Sequence, residues 1–206
     1  MKKNKIGVLL SGRGSNFRAI LENTKKGYIK NTEIAVVISD KSDAGGLQYA
    51  KQENIPSFFV NLKEFQNRDK YEEKIIDILK NHEVDLVVLA GYMKIIGENF
   101  VKNFKNRIMN IHPALLPSFP GLHSQKKAIK YGVRYSGCTV HFVDEKMDHG
   151  PIILQAVVPV LQKDTEETLS IKILKEEHKI YSEAIKLFFE GKLEIRGRKV
   201  FIKGRD

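Results

Sequence analysis

The stretch "KIGVLLSGRGSNF", residues 5–17, joins a short apolar run to two glycines and then to a helical pattern. The predicted strand covers residues 5–10, and after Lys5 it has no polar residue, which is typical of a strand covered on both faces. From about Ser15 onwards, apolar residues recur at the spacing of an amphipathic helix. A strand, a glycine-rich loop and a helix in this order predict the first unit of a parallel α/β sheet.

Strands and helices alternate in the same way through the first half of the chain. The predicted strands are "EIAVVIS" (33–39), "SFFV" (57–60) and "DLVVLA" (85–90), and the predicted helices cover residues 46–54 and about 64–81. This order predicts an α/β fold with a doubly wound, mostly parallel, Rossmann-like sheet and helices on both faces. Such sheets bind ligands beyond the carboxyl ends of their strands, so the loops after these strands are candidate sites.

The second half contains three more predicted strands and one long helix. The strands are "IMNIH" (108–112), "SGCTVHFV" (136–143) and "PIILQAVVPV" (151–160). A long C-terminal helix is expected from about Asp164, which would cap it, to Gly191. The tail "KLEIRGRKVFIKG" (192–204) is predicted to form a hairpin that turns at Gly197. We interpret the 206 residues as a single domain.

Composition limits the classes of function. The net charge is +10, but lysines and arginines are spread along the chain without interleaved aromatic residues, so we predict no nucleic-acid partner. The sequence has no run of about 18 apolar residues, so we predict no membrane span. Cys138 is the one cysteine, which excludes a disulfide framework within the chain and leads us to expect a cytoplasmic protein. The six histidines lack the spacing of a metal site, so we predict no metal.

The loop "SGRGSN" (11–16) lies between the first predicted strand and the first predicted helix. Backbone amides at the start of a helix bind anions, and glycines allow a phosphate to approach closely. The dinucleotide fingerprint requires a third glycine where this chain has Phe17, so a phosphate monoester fits the loop better. The structural alternative is a tight turn in which Asn16 caps the helix.

Asn110 and His112 lie two residues apart in a predicted strand, so both side chains point to the same face. An amide can stabilise a developing oxyanion and an imidazole can donate a proton, which is what acyl transfer through a tetrahedral intermediate requires. Pro113 and the prolines that follow would restrict the backbone around the pair. The structural alternative is a core histidine beside a turn that the prolines shape.

Three acidic residues, Asp144, Glu145 and Asp148, follow the strand 136–143. A carboxylate beside His112 would favour the imidazolium form and make it a usable proton donor. The residues alone leave open which of the three acids takes this place, and also whether the loop is only a solvated acidic segment. On the long helix, Glu177 falls on the apolar stripe and needs a partner, either a substrate hydroxyl or an ion pair at the edge of the core.

Five stretches occur in one order from about residue 5 to 190: "SGRGSN", "VVLAGYMKII", "NIHPALLPSFPGLH", "HFVDEKMDHGPIILQ" and "EEHKIY". By these stretches the sequence resembles the glycinamide ribonucleotide formyltransferases, a group within the folate-dependent formyltransferase family. The resemblance implies one formyltransferase domain with a phosphate-binding half (1–100) and a catalytic and folate-binding half (101–206). It also implies transfer of a formyl group from 10-formyltetrahydrofolate, as co-substrate, to the amine of glycinamide ribonucleotide in purine biosynthesis.

The resemblance also assigns residues. Asn110 would hold the oxyanion, His112 would act as general acid, and Asp148 would favour the protonated form of that histidine. The predicted ribonucleotide-binding residues are Gly14, Ser15, Asn16, Leu174, Lys175, Glu176 and Glu177. The predicted folate-binding residues are Arg68, Met93, Lys94, Ile95, Ile96, Asn110, Asp144, Glu145, Lys146, Met147 and Asp148. One residue of each set departs from the family pattern. Lys94, in the folate set, stands where relatives often have arginine, and Leu174, in the ribonucleotide set, cannot donate a side-chain hydrogen bond.

Three other functions fit parts of the pattern. A methionyl-tRNA formyltransferase would share the trio Asn110, His112 and Asp148 but is expected to have a further C-terminal domain. A formyltetrahydrofolate deformylase uses water as the acceptor and is expected to have an N-terminal regulatory domain. A basic binding module without activity would bind nucleic acid with a steep dependence on salt. The resemblance favours small-molecule substrates, and we make no prediction of oligomeric state.

Overall fold

A computed structural model of the chain describes residues 2–205. Its strands are β1 (Asn4–Leu10), β2 (Thr32–Ser39), β3 (Ser57–Phe59), β4 (Leu86–Leu89), β5 (Ile108–His112), β6 (Tyr135–Phe142), β7 (Ile152–Pro159), β8 (Leu193–Arg196) and β9 (Lys199–Ile202). Its α-helices are α1 (Ser15–Lys25), α2 (Gly45–Gln52), α3 (Arg68–Asn81), α4 (Glu98–Asn103), α5 (Ser124–Tyr131) and α6 (Glu166–Phe189). The chain divides into two compact units, of which the first ends at Met109 and the second begins at Asn110, so the division falls inside β5.

The first unit is a parallel sheet in the strand order β3-β2-β1-β4. β1 pairs in parallel with β2 and with β4, and β2 pairs in parallel with β3. The apolar residues of β1 and β4 are buried, as their unbroken apolar runs predict. Gly7 in β1 allows α3 to pack closely, because a Cβ atom there would lie 2.4 Å from the Leu79 side chain.

The second unit has the strand order β5-β6-β7-β9-β8. β6 and β7 are antiparallel, β9 joins β7 in parallel through Ile152 and Lys199, and β8 and β9 form an antiparallel hairpin. The helix α6 contacts β6 and β7 and buries Ile173 and Tyr181. The predictions of a mostly parallel α/β sheet, a long C-terminal helix and a hairpin that turns at Gly197 are confirmed. The single-domain interpretation stays a prediction.

Two helix starts differ from the predictions. The helix α3 begins at Arg68 rather than near residue 64, because the Asn67 side chain accepts a hydrogen bond from the Lys70 amide and caps it there. The cap of α6 is Thr165 and not Asp164, since Thr165 accepts from the Thr168 amide and the Thr168 hydroxyl accepts from the Thr165 amide. Asp164 instead pairs with Lys172.

Two helices, α4 and α5, were not predicted from the sequence. They have six and eight residues respectively, which is too short for apolar periodicity to distinguish them from loops. Within residues 2–205, no helix is long and apolar enough to span a membrane.

Candidate active site

The end of β5 and the loop after β6 bring three predicted residues together in the second unit. The Nδ1 atom of His112 lies 3.2 Å from an Oδ2 atom of Asp148, and the Asn110 amide nitrogen lies 3.5 Å from Oδ1 of the same carboxylate. His112 is 4% exposed, and the side chain of Asp148 is 10% exposed. Burial strengthens electrostatic interactions within this cluster. The catalytic roles of the three residues stay predictions.

The other ring nitrogen of His112 faces the loop that follows β5. Its Nε2 atom lies 2.9 Å from the carbonyl oxygen of Phe119 and 3.3 Å from the hydroxyl of Ser124. The Ser124 hydroxyl donates its own proton to the carbonyl of Gly121, so its oxygen is available to His112 as an acceptor. Both ring nitrogens therefore face acceptors, of which the Phe119 carbonyl is the nearer to Nε2.

Of the three acids that the sequence left open, Asp148 faces His112. Its Oδ2 atom also accepts a hydrogen bond of 2.8 Å from the Gly121 amide, and its backbone φ of 50° lies in the left-handed region. Asp144 instead contacts the His149 ring at 2.7 Å and accepts from the Lys146 amide at 3.0 Å. Glu145 is exposed on the same loop. The geometry thus separates one acid beside the imidazole from two that are not.

The glycine loop of the first unit ends in the first turn of α1. Gly14 is the N-cap residue, with a φ of 74°, and a Cβ atom there would lie 2.9 Å from the Cα atom of Gly46. A residue with a side chain would therefore be strained at this position. The helix start has no side-chain cap, so the structural alternative of Asn16 as cap is wrong. Ser15 is half-buried and Asn16 is buried.

Arg68, a predicted folate-binding residue of the first unit, and its neighbour Glu72 hold the segment around Ile95. Arg68 pairs with Glu72 at 2.8 Å and donates to the carbonyl of Ile95, while Glu72 accepts from the Gly97 amide at 2.9 Å. Met93 and Ile95 are 62% and 58% exposed, which is high for large apolar side chains. The side chain of Ile96 is buried, so any contact that it makes with a ligand would be through its backbone.

Lys94 projects from the same segment towards a buried acid. Its Nζ atom lies 3.9 Å from Oδ2 of Asp40, whose side chain is 2% exposed. Within residues 2–205, neither carboxylate oxygen of Asp40 has a hydrogen-bond partner. The Lys94 ammonium is thus a point charge near one buried carboxylate, that of Asp40.

The predicted ribonucleotide-binding residues of α6 do not share one face. Leu174 and Glu177, three positions apart, lie towards the interior, whereas Lys175 is exposed. Glu176 pairs with Lys179 at 2.7 Å. Burial, and after it the carboxylate of Glu177, raises the pKa of the Cys138 thiol to about 12.

Within residues 2–205, the structure has no group of three or more His, Cys, Asp or Glu side chains that could hold a metal ion.

A family model described as formyl transferase matches residues 4–185. The chain belongs to the formyl transferase family. The match includes β1, the glycine loop, β5, the loop after β6 and most of α6. The prediction of a folate-dependent formyltransferase from the five sequence stretches is confirmed at the level of the family.

Individual members of the formyl transferase family are also similar. The phosphoribosylglycinamide formyltransferase of Haemophilus influenzae is 42% identical over 201 residues, which are 98% of this chain and 94% of that protein. The trifunctional purine biosynthetic protein adenosine-3 of Drosophila melanogaster is 42% identical over 191 residues. This chain spans 14% of the length of the Drosophila protein.

Solved structures of the formyl transferase family have the same fold. Glycinamide ribonucleotide transformylase 1 from Symbiobacterium toebii superposes with a TM-score of 0.95 at 48% identity, over 98% of this chain and 94% of that one. A formyltetrahydrofolate deformylase from Pseudomonas syringae superposes with a TM-score of 0.89 at 25% identity, over 97% of this chain and 66% of that one. The fold is thus shared across two activities, and the site must distinguish them.

One residue beside the trio was missed by the sequence reasoning. His141 in β6 is buried, its Nδ1 atom lies 2.8 Å from the carbonyl oxygen of Phe142, and its Nε2 atom lies 3.3 Å from the Asn110 amide nitrogen. Burial lowers the pKa of His141, which keeps the ring neutral. A neutral ring that donates through Nδ1 accepts through Nε2, so His141 can orient the Asn110 amide. A polar residue within an apolar strand was the available signal.

Proposed function

We propose that the chain transfers the formyl group of 10-formyltetrahydrofolate to the amine of glycinamide ribonucleotide, a step of purine biosynthesis. The observation that carries the proposal is the buried cluster in which His112 faces Asp148 at 3.2 Å with Asn110 beside it. The relatives that match over most of both lengths support the choice of substrate, because their names specify phosphoribosylglycinamide. 10-Formyltetrahydrofolate, as co-substrate, supplies the group that is transferred.

In this reaction the side-chain amide of Asn110 would donate a hydrogen bond to the formyl oxygen, where negative charge develops as the amine attacks. A fixed donor in a site that excludes water stabilises such charge more than water does. His141 supports this role, because its Nε2 atom restricts the orientation of the Asn110 amide. The second N–H of the same amide faces Oδ1 of Asp148 at the longer distance of 3.5 Å, and the formyl oxygen would replace this contact.

His112 would donate a proton to the folate nitrogen as the bond between that nitrogen and the formyl carbon breaks. The amine loses one proton when its own bond to the formyl carbon forms, so the transfer consumes no net proton. Its Nδ1 atom faces the carboxylate of Asp148, so the proton for the substrate has to come from Nε2. Nε2 contacts the Phe119 carbonyl at 2.9 Å. The backbone at Phe119 would therefore have to move away from Nε2 before the proton could reach a substrate. Asp148 would remain charged and compensate the imidazolium throughout.

The glycine loop fits a phosphate monoester. The N-cap residue of α1 makes no side-chain cap, and the helix dipole favours an anion at this end of the helix. Gly14 and Ser15 would provide backbone amides, and Asn16 would add a side-chain donor. On α6, the buried Glu177 would accept hydrogen bonds from the ribose hydroxyls through its carboxyl oxygens.

The residues proposed for 10-formyltetrahydrofolate fit its two chemical parts. The exposed side chains of Met93 and Ile95 suit a flat ring system, which gains stability by leaving water. Lys94 supplies a positive charge for a carboxylate of the folate tail. In the second unit, the loop from Asp144 to Asp148 offers backbone groups and carboxylates that could bind the polar edge of the pterin.

The proposal is tested by incubating the purified protein with 10-formyltetrahydrofolate and glycinamide ribonucleotide and following the loss of the formyl group. We expect turnover that requires the ribonucleotide and yields its formylated product. Equal turnover without the ribonucleotide would identify a deformylase, the activity of the Pseudomonas syringae relative. No turnover under either condition would refute both enzyme functions, and salt-sensitive binding to nucleic acid would then favour a binding module.

We also propose that the protein works in the cytoplasm on small molecules and without a nucleic-acid partner. Its single cysteine, Cys138, is a buried free thiol, which suits a reducing compartment. Fractionation of cells that express a tagged chain would check the compartment.

A further inference from the structure

The C-terminal hairpin reaches the loop that carries Asp148. Arg198 follows the turn at Gly197, and its guanidinium donates a hydrogen bond of 2.6 Å to the backbone carbonyl of His149. The same guanidinium lies 2.9 Å from Nε2 of the His149 ring. The parallel pairing of Lys199 with Ile152 fixes the hairpin at the start of β7, directly after the loop.

His149 links Arg198 to the beginning of the loop. Its Nδ1 atom lies 2.7 Å from Oδ2 of Asp144, and Oδ1 of Asp144 accepts from the Lys146 amide at 3.0 Å. The Arg198 nitrogen that lies 2.9 Å from Nε2 also lies 3.1 Å from Nδ1, so the guanidinium contacts both nitrogens of the ring that contacts Asp144. Arg198, His149 and Asp144 therefore form a hydrogen-bonded chain that joins the two ends of the loop.

The position of Asp148 depends on constraints of this kind. Its φ of 50° lies in the left-handed region, which a residue with a side chain adopts only where its surroundings impose it. On the C-terminal side, Gly150 is fixed because a Cβ atom there would lie 1.8 Å from the carbonyl oxygen of Phe142. Between these two residues, the bond from Arg198 holds the carbonyl of His149.

We propose that Arg198 is a positioning residue, which holds the loop from Asp144 to Gly150 so that the Asp148 carboxylate faces His112. This inference rests on the proposed function for its effect on turnover, but not for its effect on the loop. Arg198 does not itself touch the reacting atoms.

The effect on the loop is measured by hydrogen exchange of the amides from Asp148 to Gly150. We expect Arg198→Ala to speed this exchange about tenfold, because the loop loses its link to the hairpin and opens more often. Arg198→Lys keeps the charge and one donor for the His149 carbonyl, so its exchange rate should lie between those of the wild type and Arg198→Ala. Equal exchange in Arg198→Ala and the wild type would overturn the proposal.

Arg196→Ala is the matched control. Arg196 lies on the same hairpin but contacts Glu194 at 2.8 Å and the Phe201 ring at 4.8 Å, not the loop. It should leave exchange at Asp148 to Gly150 unchanged. If both arginine variants accelerate exchange equally, the hairpin acts through its fold and not through the Arg198 contact, and the proposal fails.

The effect on turnover is measured with a double-mutant cycle. Arg198→Ala should lower kcat about three- to tenfold without changing the KM for the ribonucleotide, and should move the pH profile of kcat towards that of Asp148→Asn. In the Asp148→Asn background, Arg198→Ala should cost nothing further, whereas an additive loss would contradict action through Asp148. An inactive wild type would refute the proposed function, and the exchange measurement would still decide the role of Arg198.

Discussion

The Nδ1 atom of His112 and the Oδ2 atom of Asp148 lie 3.2 Å apart, and the loop between β5 and α5 holds both residues through its backbone. The Phe119 carbonyl contacts His112 at 2.9 Å, and the Gly121 amide donates to Asp148 at 2.8 Å. Backbone groups cannot change rotamer, so a loop stiffened by proline is suited to this task. The prolines near His112 thus act on the pair through peptide groups.

The first prediction concerns this pair. His112→Ala removes the proposed proton donor, and Asp148→Asn removes the charge that compensates it. Each should lower kcat about a hundredfold or more while leaving ribonucleotide affinity nearly unchanged. Steady-state kinetics and calorimetric titration with the ribonucleotide would measure the two effects separately.

Asp77→Asn is a control for that experiment, because it makes the same chemical change at an exposed residue of α3. It should retain wild-type kcat. A collapse of ribonucleotide affinity in Asp148→Asn, with kcat retained at saturation, would instead assign Asp148 to binding.

The second prediction concerns Thr139, which is buried in β6. Its hydroxyl donates to the Ala114 carbonyl at 2.7 Å and accepts from the Leu116 amide at 3.0 Å. Valine has nearly the same shape but would leave the Leu116 amide unsatisfied, so Thr139→Val should lower the free energy of unfolding by about 1–3 kcal/mol. Urea denaturation would measure this difference.

Thr24→Val serves for comparison, since the Thr24 hydroxyl only donates to the Ile20 carbonyl within α1. We expect a change within about 0.5 kcal/mol there. Similar decreases in the free energy of unfolding in the two variants would show that the hydrogen bonds of Thr139 do not contribute the predicted stability.

Much of the framework around the site could be predicted from the sequence. β1, β4 and β5 are runs whose burial follows from their composition, and strand alternation places Asn110 and His112 on one face. The hairpin turn could be predicted at Gly197 because glycine readily adopts the left-handed backbone of a tight turn, and its φ is indeed 60°. These are local properties, which a sequence states directly.

Contacts between distant segments could not be predicted in the same way. Asp148, and not Asp144, faces His112 for two reasons. The backbone of Asp148 is left-handed, and the carboxylate of Asp144 contacts the His149 ring instead. The contact of Arg198 with His149 joins surface residues far apart in the chain, and no periodicity marks such a pair. The predicted cap of α6 was wrong for a related reason. Asp164 and Thr165 are both residue types that cap helices, and only the backbone geometry decides which of them is the N-cap.

The third prediction is a pH dependence of stability. Burial lowers the pKa of His141 in the folded chain, whereas the unfolded chain takes up a proton near the ordinary value of about 6.5. Below that pH the unfolded state binds more protons, so stability is fully present above pH 6.5 and is lost as the pH falls. His141 should contribute a loss of up to about 1.4 kcal/mol per pH unit.

His141→Gln removes this linkage, so its free energy of unfolding should fall less steeply than that of the wild type between about pH 6.5 and pH 5. At pH 8 the two proteins should differ only by the cost of the substitution itself. Denaturation curves at several pH values would show this, and curves that stay parallel from pH 8 to pH 5 would contradict it.

The fourth prediction concerns Gly150, which connects the Asp148 loop to β7. A Cβ atom there would lie 1.8 Å from the Phe142 carbonyl oxygen and 2.8 Å from its carbonyl carbon. These are backbone atoms of β6 and cannot rotate away, so Gly150→Ala should lower the free energy of unfolding by about 3 kcal/mol. Gly12→Ala is the control, because a Cβ atom at Gly12 has no neighbour within 4 Å, and its cost should be small. Equal unfolding free energies for the two alanine variants would mean that the loop stands away from Phe142 in solution, and Asp148 would then need another support.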